Sequence, residues 1–350
     1  ENRERQRKIE FLSYHDQLTG VFNRRFFDEE LKRLDVPRNL PLSLVMIDVN
    51  GLKLFNDAFG HKAGDMLLKR VAEVLQREMR GDDIIARIGG DEFIILLPCT
   101  GYEFVWPMME RIVDSMGNEY VEDLPVSISW GCGTKISEGE SAEKIFEIAE
   151  DQMYRNKISH KSSYHHRSIE MILETLYSKA PVEREHSPSV SILSELIGAE
   201  MHLDKSEISE LRTAGAIHDI GKIAVSNAVL EKKGKLSSSD WIELKKHPEV
   251  GYNILSAVNE YSTLARIVLA HHEWYDGNGY PKGLKGDEIP LQSRIIAVAE
   301  AYDSMVSGMM FSAPKTLQQA VEELQNNAGT QFDPAVVSVF VDKVLAEESI

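Results

Sequence analysis

Cysteine is scarce: the 350-residue chain has two, Cys99 and Cys132. That excludes a disulfide-stapled scaffold and a cysteine zinc site, and it suits a reducing, cytoplasmic setting. No apolar run approaches the ~20 residues of a membrane helix. No secretory leader is legible. Positive charge is in deficit, with 39 Lys and Arg against 56 Asp and Glu, a net charge of -17. A chain this acidic is a poor DNA binder, because wrapping a nucleic-acid backbone needs clustered Lys and Arg. Any phosphate it handles must be neutralised by metals or by local cations. What is present is ordinary: 43% hydrophobic and 27% charged residues, the balance of a folded globular chain of about two domains. The chain opens on Glu1, which suggests a fragment lacking an upstream sensor domain. Residues 1–15 are charge-rich, with Ile9 and Leu12 on one helical stripe. They read as a linker or signalling helix that could pair two subunits.

The two halves differ in pattern. From residue 16 to about 160, strand and helix signals alternate. Leu42–Ile47 is an apolar run of strand length, and Gly64–Gln76 carries a helical stripe of Leu67, Leu68, Val71, Val74 and Leu75. Ile84–Ile88 and Phe93–Leu97 flank Gly89-Gly90 as a hairpin. A helix near Phe104–Met116 follows, then the alternation Val126, Ile128, Trp130, then a last helix through Ile145 and Met153. The order β-α-β-β-α-β predicts a ferredoxin-like α/β domain. From about 166 the signals are helical: Ile169–Tyr177, Val190–Met201, Ile208–Ile217, Leu264–His272, Ile295–Val306 and Ala335–Leu345. The polar stretch 161–166 is the expected junction. The domains read as 1–15 linker, 16–163 α/β and 164–350 all-α.

Asp48 ends the first strand and Asp91-Glu92 tips the hairpin. In a β-α-β-β-α-β sheet these strands are neighbours, so the carboxylates converge at one edge. Two carboxylates and a backbone oxygen form a hard site suited to Mg²⁺. Gly89 and Gly90 leave room for a large group beside the backbone. Asn56 and Asp65 offer donors and acceptors for a base edge. Singly, these residues read as polar turns and helix-start acids. Together, the stretches 16–25 and 47–65 and Gly89-Gly90-Asp91-Glu92-Phe93 resemble the GGDEF family of diguanylate cyclases. The resemblance implies that Asp48, the carbonyl of Val49 and Asp91 hold Mg²⁺. Asp91 would help deprotonate the ribose 3′-OH of GTP, and Glu92 would support the metal. Asn56 and Asp65 would bind guanine, and Lys53 and Lys157 would contact the triphosphate. Two such domains must face each other to make cyclic di-GMP, so a homodimer is expected. Arg80-Gly-Asp-Asp83 resembles the family's product-inhibition site for cyclic di-GMP; its bland reading is a surface ion pair of at most about 1 kcal/mol.

In the second half, His218-Asp219 and His271-His272 close helices, Glu300 sits inside a third, and His186 and His247 stand apart. Imidazoles mixed with carboxylates suit Fe, Mn or Zn, and two metals about 3.5–4 Å apart would clamp a phosphodiester. The segments 216–222, 245–251, 271–281 and 329–334 resemble the HD-GYP subclass of HD phosphohydrolases, which hydrolyses cyclic di-GMP. The resemblance implies seven metal ligands: His186, His218, Asp219, His247, His271, His272 and Glu300. Lys222 would hold a substrate phosphate, with Asp219 and Lys222 at the catalytic centre. Gly279, Tyr280 and Pro281 would shape the substrate loop. Several positions depart from the family pattern. Glu300 replaces the usual Asp, Ser189 replaces an Arg, and Met309-Met310-Phe311-Ser312 replaces an Arg-Pro-Tyr-Arg segment. Val182 stands where trinuclear members carry Glu, so two metals are expected. The combined expectation is a cytoplasmic bacterial signalling enzyme that makes cyclic di-GMP and hydrolyses it slowly to pGpG and GMP. A non-catalytic sensor of GTP or cyclic di-GMP is the rival class. A hydrolase for another phosphoester is the third.

Overall fold

The computed structural model describes residues 11–232, 234–308 and 313–347. The chain divides into two compact units, 1–167 and 168–350. Ile9 and the segment 309–312, on which two expectations rested, lie outside the described residues.

The first unit is built on a five-stranded mixed sheet. A short edge strand, β1 (Phe22–Asn23), leads into helix α1 (Arg24–Leu34). Then come β2 (Leu42–Val49), α2 (Leu52–Phe59), α3 (His61–Glu78), β3 (Ile84–Arg87) and β4 (Glu92–Leu97). Helix α4 (Tyr102–Gly117), a small ribbon of β5 (Tyr120–Val121) with β6 (Leu124–Pro125), and β7 (Ile128–Lys135) complete it. The sheet order is β1-β3-β4-β2-β7. The expected β-α-β-β-α-β core is there, with β2 between β4 and β7, and β1 is an added strand parallel to β3. Every residue of β2 is buried, as a central strand covered on both faces requires. In the β2–β4 register Asp48 lies opposite Glu92, so the carboxylate-bearing ends of both strands share one sheet edge.

Helix α5 runs without a break from Ala142 to Lys179. The polar stretch 161–166, expected as the junction, is therefore helical. Its Ser, Tyr and His residues each cost at most about 0.7 kcal/mol in a helix, and no Gly or Pro interrupts it.

The second unit is all-helical. Its main helices are α6 (Glu183–Glu200), α7 (Lys205–Ile217), α8 (Ser238–Leu244), α9 (His247–Ser256), α10 (Ser262–Ala270), α11 (Leu291–Ser307), α12 (Leu317–Asn326) and α13 (Pro334–Val339). A short 3₁₀ segment, Ile220–Ala224, lies between α7 and α8. Asp204 and Ser237 cap α7 and α8 with reciprocal side-chain bonds to the third helical residue. Helices α8, α9 and α12 were not anticipated; they are short, and their apolar stripes span too few turns to show a period. Among the described residues no helix is long and apolar enough to cross a membrane.

Candidate functional site

In the first unit, Asp48 is 3% exposed and its Oδ1 has no hydrogen-bond partner. Its Oδ2 accepts from Lys157 Nζ at 2.7 Å. Burial, then the neighbouring Asp91 and Glu92, raise the Asp48 carboxyl, and Lys157 opposes them. A buried carboxylate oxygen without a partner, facing two further carboxylates, is a site that a divalent cation satisfies. The hairpin is held from two sides. Val49 donates its N–H to the Asp91 carbonyl at 2.9 Å. The Arg87 guanidinium grips the Gly90 carbonyl at 2.7 Å and Asp16 Oδ1 at 3.1 Å. Arg87 was not anticipated from sequence; it ties residue 16 to a hairpin 71 positions away.

The proposed guanine contacts depend on a glycine. A Cβ on Gly64 would lie 2.1 Å from Asn56 Oδ1, so a larger residue there would force the Asn56 side chain to move. Asp65 and Lys53 are exposed on the same helical pair. Arg80 donates its backbone N–H to Asp83 Oδ2 at 2.9 Å. Both residues line a cavity of about 430 Å³ shared with Glu78, Cys99 and Arg111.

In the second unit, the seven expected ligands come together. Asp219, His247, His271 and His272 form one quartet, and His186, His218, Asp219 and Glu300 form another. Within each, the ligand atoms lie within 4.8 Å of one another. Asp219 belongs to both, which is the arrangement of a carboxylate bridging two metals. It is 1% exposed, and neither oxygen has a hydrogen-bond partner.

Four of the five rings are oriented by their other nitrogen. His218 Nδ1 donates to the Gly215 carbonyl and His247 Nδ1 to the Leu244 carbonyl, both at 2.8 Å. His271 Nδ1 donates to the Val268 carbonyl. His186 Nδ1 lies 2.6 Å from Asp303 Oδ2, and Ser189 Oγ donates to Asp303 Oδ1. These partners turn the four Nε2 atoms inward, as metal-ligating histidines require. The Nε2 atoms of His247 and His271 are 3.2 Å apart. With both Nδ1 protons committed, two lone pairs face each other, which a cation between them relieves. Ser189 thus supports a ligand's partner where an Arg was expected by resemblance.

The signature loop is fixed by Glu273, 3% exposed. Its carboxylate accepts from the backbone N–H groups of Lys282 at 2.6 Å and Leu284 at 3.0 Å. Gly279 packs against the backbone, where a Cβ would meet Trp274 N at 2.1 Å. Tyr280 stacks on His272 at 4.9 Å, with Lys245 Nζ 5.0 Å from its ring centre. A cavity of about 120 Å³ opens beside His271, His272, Glu300 and Gln331.

Lys222 lies between two carboxylates. Its ammonium lies 2.6 Å from Asp219 Oδ2 and 2.8 Å from Glu183 Oε1. Sequence reasoning missed Glu183, Asp303 and Glu273. The one signal for Glu183 was an acid in the first turn of a helix, which ordinarily reads as a dipole partner.

Burial by itself would lower His218, but the adjacent Asp219 carboxylate pushes it up to about 9. Burial holds His247 and His271 at about 4. A metal at His218 must displace that proton. Affinity for a divalent ion is therefore expected to rise with pH by about tenfold per unit for one displaced proton, levelling near pH 9. Metal titrations at several pH values check this; a flat profile from neutral to alkaline pH would contradict the His218 assignment.

The HD domain model matches residues 143–336, more than half of the chain. The chain belongs to the HD domain family. The model described as diguanylate cyclase, GGDEF domain, matches residues 13–163, so a GGDEF domain of mixed α/β architecture precedes a helical HD domain. A Thermotoga maritima protein named cyclic di-GMP phosphodiesterase is 39% identical over 259 residues, covering 72% of this chain and 65% of its own length. A Vibrio cholerae protein named 3'3'-cGAMP-specific phosphodiesterase 3 is 37% identical over 157 residues, 45% of this chain and 34% of its own length. The chain thus spans between about a third and two thirds of these relatives. Among solved structures, the coiled coil and GGDEF domain of DgcB from Caulobacter crescentus, in complex with c-di-GMP, aligns at 26% identity with a TM-score of 0.42. It covers 45% of this chain and 87% of that one.

Proposed function

We propose that the chain turns over cyclic di-GMP: the GGDEF domain condenses two GTP molecules, and the HD domain hydrolyses the product slowly to pGpG and GMP. The observation that carries the hydrolytic half is the pair of ligand quartets sharing Asp219. The observation that supports the cyclase is the convergence of Asp48, Asp91 and Glu92 with an orphaned Asp48 oxygen. The name of the Thermotoga relative supports the choice of substrate.

In the GGDEF domain, Asp48, the Val49 carbonyl and Asp91 hold Mg²⁺, and Glu92 supports that site. Asn56 and Asp65 read the guanine, and Lys53 and Lys157 face the triphosphate. When bound, Mg²⁺ neutralises charge that develops on the transferring phosphate. Asp91 accepts the proton of the attacking 3′-hydroxyl. Closure of the ring needs two such domains, hence a homodimer. Arg80 and Asp83 take cyclic di-GMP as a feedback ligand in the cavity shared with Arg111.

In the HD domain, His186, His218, Asp219, His247, His271, His272 and Glu300 hold two Fe, Mn or Zn ions. These supply a hydroxide nucleophile and neutralise the phosphodiester. Hydrolysis is slow because Glu300 is one methylene longer than the usual acid, so that its ligand oxygen would sit about an ångström from the usual place. It is slow also because cationic contacts found elsewhere in the family are replaced.

The test is metal content together with product analysis. Purified chain should carry about two transition-metal ions, convert GTP with Mg²⁺ to cyclic di-GMP, and convert added cyclic di-GMP to pGpG. Arg80→Ala should relieve inhibition by added cyclic di-GMP while initial GTP turnover holds. A chain that binds both nucleotides and turns over neither would establish the sensor reading instead.

A further inference from the structure

Lys222 sits in an unusual position for a phosphate-binding residue. It is 7% exposed, and its ammonium touches two carboxylates, Asp219 at 2.6 Å and Glu183 at 2.8 Å. Glu183 is fully buried in the first turn of α6, and its second oxygen, Oε2, has no hydrogen-bond partner. The two residues lie 39 positions apart, so the fold, not local sequence, brings them together. A lysine has three N–H donors and one positive charge. Here one donor is committed to Glu183 by a hydrogen bond, and the charge is shared between two carboxylates inside the protein.

We propose that Glu183 is a positioning residue that clamps Lys222 onto the bridging Asp219, so that this lysine orients a metal ligand and does not grip the substrate phosphate. The inference rests on the reading of the HD domain as a two-metal phosphodiesterase site. Its physical basis is charge balance. An ammonium shared by two anions at hydrogen-bond distance presents little net field to a third anion. Without Glu183, the same ammonium keeps one partner, regains a free donor and adds one positive charge to the cavity. Asp219, for its part, is ion-paired through Oδ2 with Lys222 and keeps Oδ1 turned to His247 at 3.2 Å. The clamp therefore fixes the carboxylate that both quartets share.

The experiment titrates orthophosphate into four proteins by calorimetry: wild type, Glu183→Gln, Lys222→Met and the double variant. Each is run metal-free and Mn²⁺-loaded, with Mn²⁺ counted by elemental analysis. Lys222→Met alone is expected to change phosphate affinity by no more than about twofold, the size of an uncoupled substitution. Glu183→Gln is expected to tighten phosphate by about tenfold, the low end for one charge-assisted hydrogen bond. Adding Lys222→Met to Glu183→Gln should remove that gain. A fifth protein, Glu183→Asp, which restores the carboxylate, should have an affinity closer to wild type than Glu183→Gln. A tenfold loss from Lys222→Met in the wild-type background would overturn the clamp, because the lysine would then reach the anion despite Glu183. Equal affinity in all four proteins would overturn it as well. If Glu183→Gln does not fold, the Lys222→Met result decides alone. Failure of the wild type to take up Mn²⁺ counts against the two-metal reading, and the pattern across the metal-free proteins still decides the clamp.

Discussion

Asp219→Asn is expected to leave the HD domain with fewer than one tightly held transition-metal ion per chain and to cut cyclic di-GMP hydrolysis by at least about 10²–10³-fold. Asp219 is the one residue common to both quartets. Its oxygens face His218 at 3.0 Å and His247 at 3.2 Å. An asparagine offers one weak oxygen and turns an NH₂, which cannot ligate a metal, toward the other metal position. The substitution also leaves the buried Lys222 with a single counter-charge, and breaking a buried ion pair costs about 3–5 kcal/mol. The metal-free variant should therefore melt below the metal-free wild type. Elemental analysis and chromatography of pGpG measure the first two effects. Two metals retained with full hydrolysis would remove Asp219 from the bridging role.

Asp91→Asn should abolish GTP condensation, with a loss of at least about 10²–10³-fold in initial rate. The backbone of residue 91 is held by the Val49 N–H and the hairpin by Arg87, so the variant keeps its fold. The guanine contacts proposed for Asn56 and Asp65 do not involve this carboxylate, and affinity for GTP should fall far less than turnover. The split between rate and affinity is the diagnostic outcome. The assay is best run in the Asp219→Asn background, where product accumulates. Turnover retained within about tenfold would mean that another group accepts the 3′-hydroxyl proton.

Much of both sites was legible because the residues that carry them are grouped in sequence. Asp48 ends an apolar run, Asp91 tips a glycine hairpin, and the paired histidines close helices. Periodicity then places those helices, and the sheet order follows from β-α-β-β-α-β. The unread residues share a different trait. Asp303 meets His186 across 117 positions, Arg87 meets Asp16 across 71, and Glu183 meets Lys222 across 39. Each looks like an ordinary helix or strand charge until tertiary packing supplies its partner. Glu273 was hidden differently: it comes directly after the two histidines and reads as one more polar residue, yet its carboxylate receives two backbone N–H groups of the adjoining loop. The continuous helix through 161–166 was not anticipated, because helix signals stand on either side of the junction and the polar stretch between them shows no apolar stripe.

The facing nitrogens of His247 and His271 carry one more consequence, for endurance rather than catalysis. A cage of inward-turned lone pairs and an unsatisfied carboxylate is a cost that the HD domain bears whenever metal is withdrawn. Metal that binds only the folded form returns that cost by mass action, about 2.7 kcal/mol at a hundredfold excess over its dissociation constant. The heat resistance of the HD domain should therefore track free metal, and a chelator should lower its unfolding temperature in proportion. Residence time of the metal then becomes a determinant of how long this half of the chain survives proteolysis.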